Sequence, residues 1–559
     1  MRRSVLPAIL LVLLVYIGTL AVLPREGFWI VDNANRFLQL RGFVDSGYTS
    51  FAIPWRGQAY DPDFSSNPIP PPFSRVNDGQ LFSAYSPVFP LVSSLPYRAF
   101  GFWGLYLIPL AGAALTLVAV ARLGGALGLS PGTRSAAVVL AGLCTPIWFY
   151  GVVFWEHTAA VCCCVWAVHF FTGYLRAPDD RPLLAGSALA ALGVYFRDEL
   201  YLFCAVLLVV LVALVRGRRL RTLWLGLACT ATTLAPLWLF QWKALGQPFG
   251  FHLANHVSAG VAQHLSARPV VLYNLFVASH QSPFGSLVIA APFLIAFVLN
   301  PRWSRSGFRV AVPLLGTIAL AGSYFSFKGY GTSGDPINWL IAANSLFAAA
   351  PVLILAFVRV REAEKPAASP ALVRWLWVLS LGYAVLYGIV APQVTSWGIH
   401  WGNRFLLVLY PILALLAAVS LGQWFSWLEP RFRWAALPVV TLVLVTLGAQ
   451  VYSVQLLRWK TEFSVRLTRE IRNRDEAIVI SDVWWVPQEL FSSFYDKSLF
   501  YTETPRHMNG IVTRARAAGQ REFLFVTLAN ERPDPRAALE IRDHDLGFFS
   551  VTCFHGDIP

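Results

Sequence analysis

The chain is short of charge. Only 13% of its 559 residues are Asp, Glu, Lys or Arg, against roughly 25% in an average soluble protein, which excludes an ordinary water-soluble fold. Lysine is the scarcest basic residue: Lys243, Lys328, Lys365, Lys460 and Lys497 are the only five among 44. Cysteines build no disulfide framework. Cys162, Cys163 and Cys164 lie inside an apolar run and read as small apolar side chains, and Cys553 stands alone in its region. No Cys or His spacing fits a metal site. His252, His256 and His264 can share a helical face, but no acid joins them. The ten-residue alternation of outer-membrane barrel strands is also missing.

Apolar sequence fills the space that charge leaves. Hydrophobic residues make up 56% of the chain and mean hydropathy is +0.55. Apolar runs near 20 residues recur along most of the length, the pattern of a polytopic helical membrane protein. About thirteen spans are expected, near 4–23, 103–121, 135–154, 158–175, 182–196, 200–215, 222–240, 284–300, 310–326, 339–358, 372–392, 405–421 and 434–453. The first run ends in AVLPR from Ala21, with no A-x-A cleavage site, so it reads as an uncleaved span rather than a signal peptide.

The net charge of +14 could suit nucleic acid, but the arginines sit in short loops between spans, where they set orientation instead. Arg2 and Arg3, the cluster Arg216 to Arg221, and Arg302, Arg305 and Arg309 all fall on one side. That side is cytoplasmic by the positive-inside rule. The long loops 24–102 and 241–283 and the segment 454–559 fall outside. The domain division expected is therefore a membrane domain, 1–453, and a small extracytoplasmic α/β domain, 454–559. In the latter, strands are expected at 477–481, 498–501, 522–528 and 548–554, in parallel pairing, with a helix over 504–519. This segment has no G-x-G-x-x-G turn and no phosphate loop.

Polar groups beside a bilayer are costly unless used or paired, and several face outward. Asp32 follows the first span among Phe28, Trp29 and Ile30; it is either a half-solvated catalytic base or a plain loop acid or helix cap. Glu156 and His157 lie between spans three and four, where they could simply bound a tight turn. Arg197, Asp198 and Glu199 lie between spans five and six and could pair among themselves at the surface. Lys243, Lys328 and Asp335 follow spans seven and nine, the lysines being either ligands or snorkelling anchors. His400 and Arg404 precede span twelve, where Arg404 could also serve as an anchor. Acids and bases together on one face suit a reaction between an anionic lipid phosphate and a nucleophile.

Over residues 1–455 the chain resembles the GT-C glycosyltransferases, membrane enzymes that use lipid-phosphate sugars and include protein mannosyltransferases and lipid A aminoarabinose transferases. The likeness rests on the acid after span one (Val31-Asp32-Asn33), on the first loop ending in FSAYSPVFP from Phe82, on Trp155-Glu156-His157, and on WGIHWGNRFLLVLYP from Trp397. Many members pair two acids in the first loop, whereas here Asn33 follows Asp32. The resemblance implies transfer of a sugar from a polyprenyl-phosphate donor to an extracytoplasmic glycan, lipid or protein acceptor. Asp32 and Glu156 would be catalytic, and His157, Arg197, Lys243, Lys328, His400 and Arg404 would bind substrate. It implies an inverting displacement in the inner (plasma) membrane, with the C-terminal domain periplasmic or extracellular. No cofactor is named by the residues; a divalent ion is compatible with the acids, but no spacing requires one. The competing expectation, a transporter or flippase for lipid-linked glycans, would show internal repeats and midplane charges; no clear repeat is found, and the charges gather at span ends.

Overall fold

Helix ends are legible where the sequence supplies caps and prolines. Ser130 accepts the Thr133 N–H (3.2 Å) ahead of Pro131, and the helix Pro131–Leu143 follows. Asp179 accepts the Arg181 N–H (3.2 Å) and opens Asp180–Phe196. In the computed structural model, residues 5–215, 217–250, 268–276, 344–358, 368–391, 399–427, 436–520, 522–528, 539–545 and 550–557 are described. The expected spans eight and nine, with Lys328, Asp335, His252, His256 and His264, lie outside them.

Two compact units divide the chain. The first comprises Met1–Val22, Ile108–Phe240 and His256–Leu456; the second comprises Leu23–Leu107, Gln241–Asn255 and Leu457–Pro559.

The first unit is helical. Among the described residues of the whole chain, five helices are long and apolar enough to cross a membrane: Phe102–Ala126, His157–Arg176, Arg219–Lys243, Pro370–Val390 and Val439–Arg472. Leu6–Val22, Leu200–Leu214 and Leu409–Phe425 are shorter apolar helices. Leucines such as Leu10, Leu11 and Leu14 on the first helix are exposed, as lipid-facing positions require. Several buried polar side chains are bonded between helices. Tyr16 Oη donates to Gly142 O (2.7 Å), Thr158 Oγ1 to Pro109 O (2.8 Å), and Trp375 Nε1 to Thr172 Oγ1 (3.2 Å). The run expected as a single span over 135–154 is broken. Its helix stops at Leu143, and after Thr145-Pro146 a separate short helix, Ile147–Gly151, forms. Pro146 has no N–H for a continuing helix and pushes its predecessor out of the helical region.

The second unit joins the loop after the first helix to the C-terminal segment. The loop supplies the helix Val31–Asp45 and a hairpin, β1 (Ser74–Asn77) and β2 (Gln80–Ser83), turned at Asp78-Gly79 with both residues at positive φ. The C-terminal segment supplies β3 (Ile478–Ser481), β4 (Ser498–Tyr501), β5 (Glu522–Leu528), β6 (Leu539–Asp545) and β7 (Ser550–Asp557), in the order β4-β3-β5-β7-β6. The parallel pairing expected holds for β3 with β4 and β5, but β7 pairs antiparallel with β5 and β6, so the sheet is mixed. β4 is an edge strand, and the first loop lies along it: Trp55 Nε1 donates to Leu499 O (2.9 Å), and Tyr501 N–H donates to Ser66 O (3.0 Å). The last apolar run, expected as a span over 434–453, does not end its helix there. One helix, Ala436–Arg472, begins in that run and continues past residue 454 into the charged sequence.

Candidate active site

Two groups of the sequence-selected residues are built, one in each unit. In the second, Asp32 occupies the first turn of Val31–Asp45 and is only 5% exposed. It is not the cap. Ile30 holds that position, and its N–H donates to Asn33 Oδ1 (3.3 Å). Asp32 Oδ1 accepts the Tyr85 hydroxyl at 2.5 Å. Arg36, one helical turn on, donates through Nη1 to the Asp32 carbonyl (2.9 Å) and lays its guanidinium 4.1 Å from the Tyr85 ring centroid. The carboxylate is therefore buried at a helix N-terminus, where the peptide dipoles favour its charge, and oriented by a phenol. A surface loop acid would have neither feature.

In the first unit, Glu156 and Arg197 meet across 41 residues of sequence. Glu156 precedes the helix His157–Arg176, but its carboxylate caps nothing; Oε1 takes Arg197 Nη1 at 3.1 Å. Arg197 Nε donates to Glu199 Oε1 at 2.7 Å. The pairing expected at the surface is thus buried and reaches a second element. Burial works against the charge on Arg197, but Glu199 and Glu156 more than offset it and raise the pKa of the guanidinium. His157 is buried between aromatic rings, 4.4 Å from Trp155 and 4.7 Å from Tyr150 between centroids.

Arg404 joins this group. Its guanidinium carbon lies 5.7 Å from the Trp155 ring and 5.0 Å from the Phe405 ring, and that of Arg197 lies 5.8 Å from Phe405. The turn that carries Arg404 is braced from several sides. Asn403 Oδ1 accepts from the Phe405 and Leu406 N–H groups (3.1 and 3.2 Å), Tyr410 Oη accepts from Asn403 N–H (3.0 Å), and Tyr383 Oη donates to Phe405 O (2.8 Å). Gly402 has φ +65°, and a Cβ there would stand 2.6 Å from Pro146 Cγ and from Tyr410 Oη, so the turn requires glycine. His400 is buried beside Trp401, whose Nε1 donates to Gln450 Oε1 (3.1 Å). Lys243 is exposed at the end of the helix Arg219–Leu245, and nothing described brings it to this group.

In the same cluster Tyr150 Oη, Trp155 Nε1 and Arg197 Nη2 are buried without a hydrogen-bond partner among the described residues, Tyr150 being the one that no sequence signal marks. Tyr150 and Trp155 stand 5.6 Å apart between ring centroids. Buried donors left in this way cost free energy unless a ligand or solvent takes them. Beside them stands the Arg404 guanidinium, while the charge of Arg197 is already met by Glu156 and Glu199. Tyr85 was equally hidden, although the FSAYSPVFP stretch contains it. Among the described residues no group of three His, Cys, Asp or Glu side chains could hold a metal ion.

Neither a family model nor a curated protein sequence matches the chain. Solved structures do. ArnT from Cupriavidus metallidurans aligns in the apo state with a TM-score of 0.52, and bound to undecaprenyl phosphate with 0.51, each at 13% identity over 97% of both chains. The apo oligosaccharyltransferase of Archaeoglobus fulgidus aligns with a TM-score of 0.50 at 11% identity, over 93% of this chain and 69% of its own. Those proteins are GT-C enzymes, and this chain shares their fold.

Proposed function

We propose that the protein is an integral membrane glycosyltransferase that moves a sugar from a polyprenyl-phosphate donor to an acceptor outside the cytoplasm. The observation that carries this reading is the cluster of buried donors, Tyr150 Oη, Trp155 Nε1 and Arg197 Nη2, beside Arg404. It offers hydrogen bonds and, through Arg404, a guanidinium to a lipid phosphate. The ArnT fold neighbour solved with undecaprenyl phosphate supports the same ligand class.

In this mechanism the acceptor oxygen or nitrogen bonds to the anomeric carbon as the bond to the phosphate oxygen breaks. The electron pair leaves on the phosphate, whose charge Arg404 and Arg197 stabilise. Asp32 takes the acceptor proton, and Glu156 keeps Arg197 charged and in place. In-line displacement inverts the anomeric carbon. Donors of this kind are made inside and presented outside, which fits thirteen spans with the C-terminal α/β segment in the periplasm or outside the cell.

Binding of undecaprenyl phosphate to the purified protein tests the reading. Arg404→Ala should weaken it roughly 10- to 100-fold, the loss expected for a charge-assisted contact. Arg404→Lys should lose less, because it keeps the charge without the two-pronged geometry. Equal affinity in wild type and Arg404→Ala would reduce Arg404 to an anchor and remove the basis for the donor site.

A further inference from the structure

The backbone just ahead of the Asp32 helix is gripped on both of its polar groups. Phe28 N–H donates to Ser464 Oγ (3.2 Å), and Phe28 O accepts from Lys460 Nζ (3.3 Å). One carboxylate organises both side chains: Glu489 takes Lys460 Nζ on Oε1 (2.7 Å) and the Ser464 hydroxyl on Oε2 (2.9 Å). Because Ser464 gives its only proton to Glu489, its lone pairs are turned toward Phe28 N–H. Thr468 Oγ1 adds a bond to Glu489 O (3.2 Å). Lys460, Ser464 and Thr468 follow an i, i+4, i+8 spacing on the helix Ala436–Arg472, so they share one face.

The grip depends on close approach. A Cβ on Gly27 would stand 2.2 Å from Thr461 O, so only glycine lets the loop reach the helix. From this point the Asp32 helix is pinned along its length. Phe28 packs its ring on Phe37 and Phe491 (5.5 and 4.4 Å), Asn35 Nδ2 donates to Gln488 Oε1 (2.7 Å), and Tyr495 Oη donates to Leu38 O (2.7 Å). Lys460 and Glu489 are both almost fully buried. A buried ion pair of this kind contributes little net stability, because desolvation offsets most of the attraction. What it supplies is direction, and here the direction ends on the residue two before the helix cap Ile30.

We infer that Glu489 is a positioning residue for catalysis: through Lys460 and Ser464 it fixes the backbone at Phe28, and thereby the position from which the helix presents Asp32. This rests on the reading of Asp32 as the base. No substrate need touch Glu489, and the C-terminal segment acquires a role in the rate of the chemical step.

Full-length protein in lipid vesicles, assayed with a polyprenyl-phosphate sugar that wild type transfers, provides the test. Glu489→Gln should lower kcat roughly 10- to 100-fold, the scale of a small misplacement of a catalytic group, with KM for the donor within about twofold of wild type. Ser464→Ala, which leaves the ion pair in place, should lower kcat in the same sense by less, and Ser464→Thr should recover it. In an Asp32→Asn background Glu489→Gln should change the residual rate little, since a misplaced base that is already gone costs nothing more. A wild-type kcat in both Glu489→Gln and Ser464→Ala overturns the inference, as does a Glu489→Gln loss that repeats in full on the Asp32→Asn background. Were Glu489→Gln not to fold, the Ser464 pair would decide. Retained activity in Asp32→Asn itself would instead overturn the reading of Asp32, which the same assay detects independently.

Discussion

Asp32→Asn should abolish sugar transfer while leaving folding and lipid-phosphate binding close to wild type. The amide keeps the size of the carboxylate and can still accept the Tyr85 hydroxyl, which lies 2.5 Å from Oδ1. It cannot take a proton from the acceptor. The loss belongs to the chemical step and should reach about 10²- to 10⁴-fold in kcat. A helix cap would tolerate the same change, since Asn caps as well as Asp, but Ile30 holds the cap position. Tyr85→Phe probes the same carboxylate from the other side. It removes one donor to a buried charged oxygen, and a decrease of roughly 10- to 100-fold in kcat follows from the usual strength of such a bond. Single-turnover rates with a matched donor measure both. Full activity in Asp32→Asn would end the case for this base, whatever the fold.

Arg197→Met should cost the most in stability. Glu156 and Glu199 both direct a carboxylate oxygen at this guanidinium, at 3.1 and 2.7 Å, and both carboxylates are nearly buried. Removing the cation leaves two like charges in a poorly solvated turn, and breaking a buried pair costs about 3–5 kcal/mol. The purified variant should melt well below wild type or fail to accumulate. Replacing Glu156 and Glu199 with Gln in the same chain should recover much of the stability, because the repulsion disappears. That triple variant should still bind undecaprenyl phosphate poorly, since it lacks Arg197 Nη2 and its charge. An unchanged melting temperature in Arg197→Met would show that the turn is held by its packing alone.

Much of the fold is legible from local signals. Apolar runs, Ser130-Pro131 and Asp179 mark helices because capping and hydropathy act over a few residues. The break at Pro146 was equally readable, but hydropathy averaged over a span conceals it. The continuity of Ala436–Arg472 was not readable from composition. The sequence turns charged near residue 454 without a glycine or proline to end the helix, so a change of solvent passed for a change of element. The sites divide in the same way. Asp32, Glu156, Arg197 and Arg404 stand out because polar groups at span ends need a reason. Their pairings do not: Tyr85 is 53 residues from Asp32, Arg197 is 41 from Glu156, and no local periodicity links either pair. Glu489 lies still further from the loop it serves, in a stretch with no motif.

The first loop's contact with β4 has a consequence for how the C-terminal segment can exist. A strand at the rim of a sheet presents a row of peptide groups that will pair with any extended chain it meets. Here Trp55 Nε1 occupies Leu499 O, and Ser66 O occupies Tyr501 N–H, so two alternate positions on that rim are already taken by the protein's own loop. Residues 454–559 made without residues 55–66 would leave the rim open and invite strand addition and aggregation. During synthesis the loop precedes the sheet by about four hundred residues of chain, so the cap is waiting before the strand that needs it has been made.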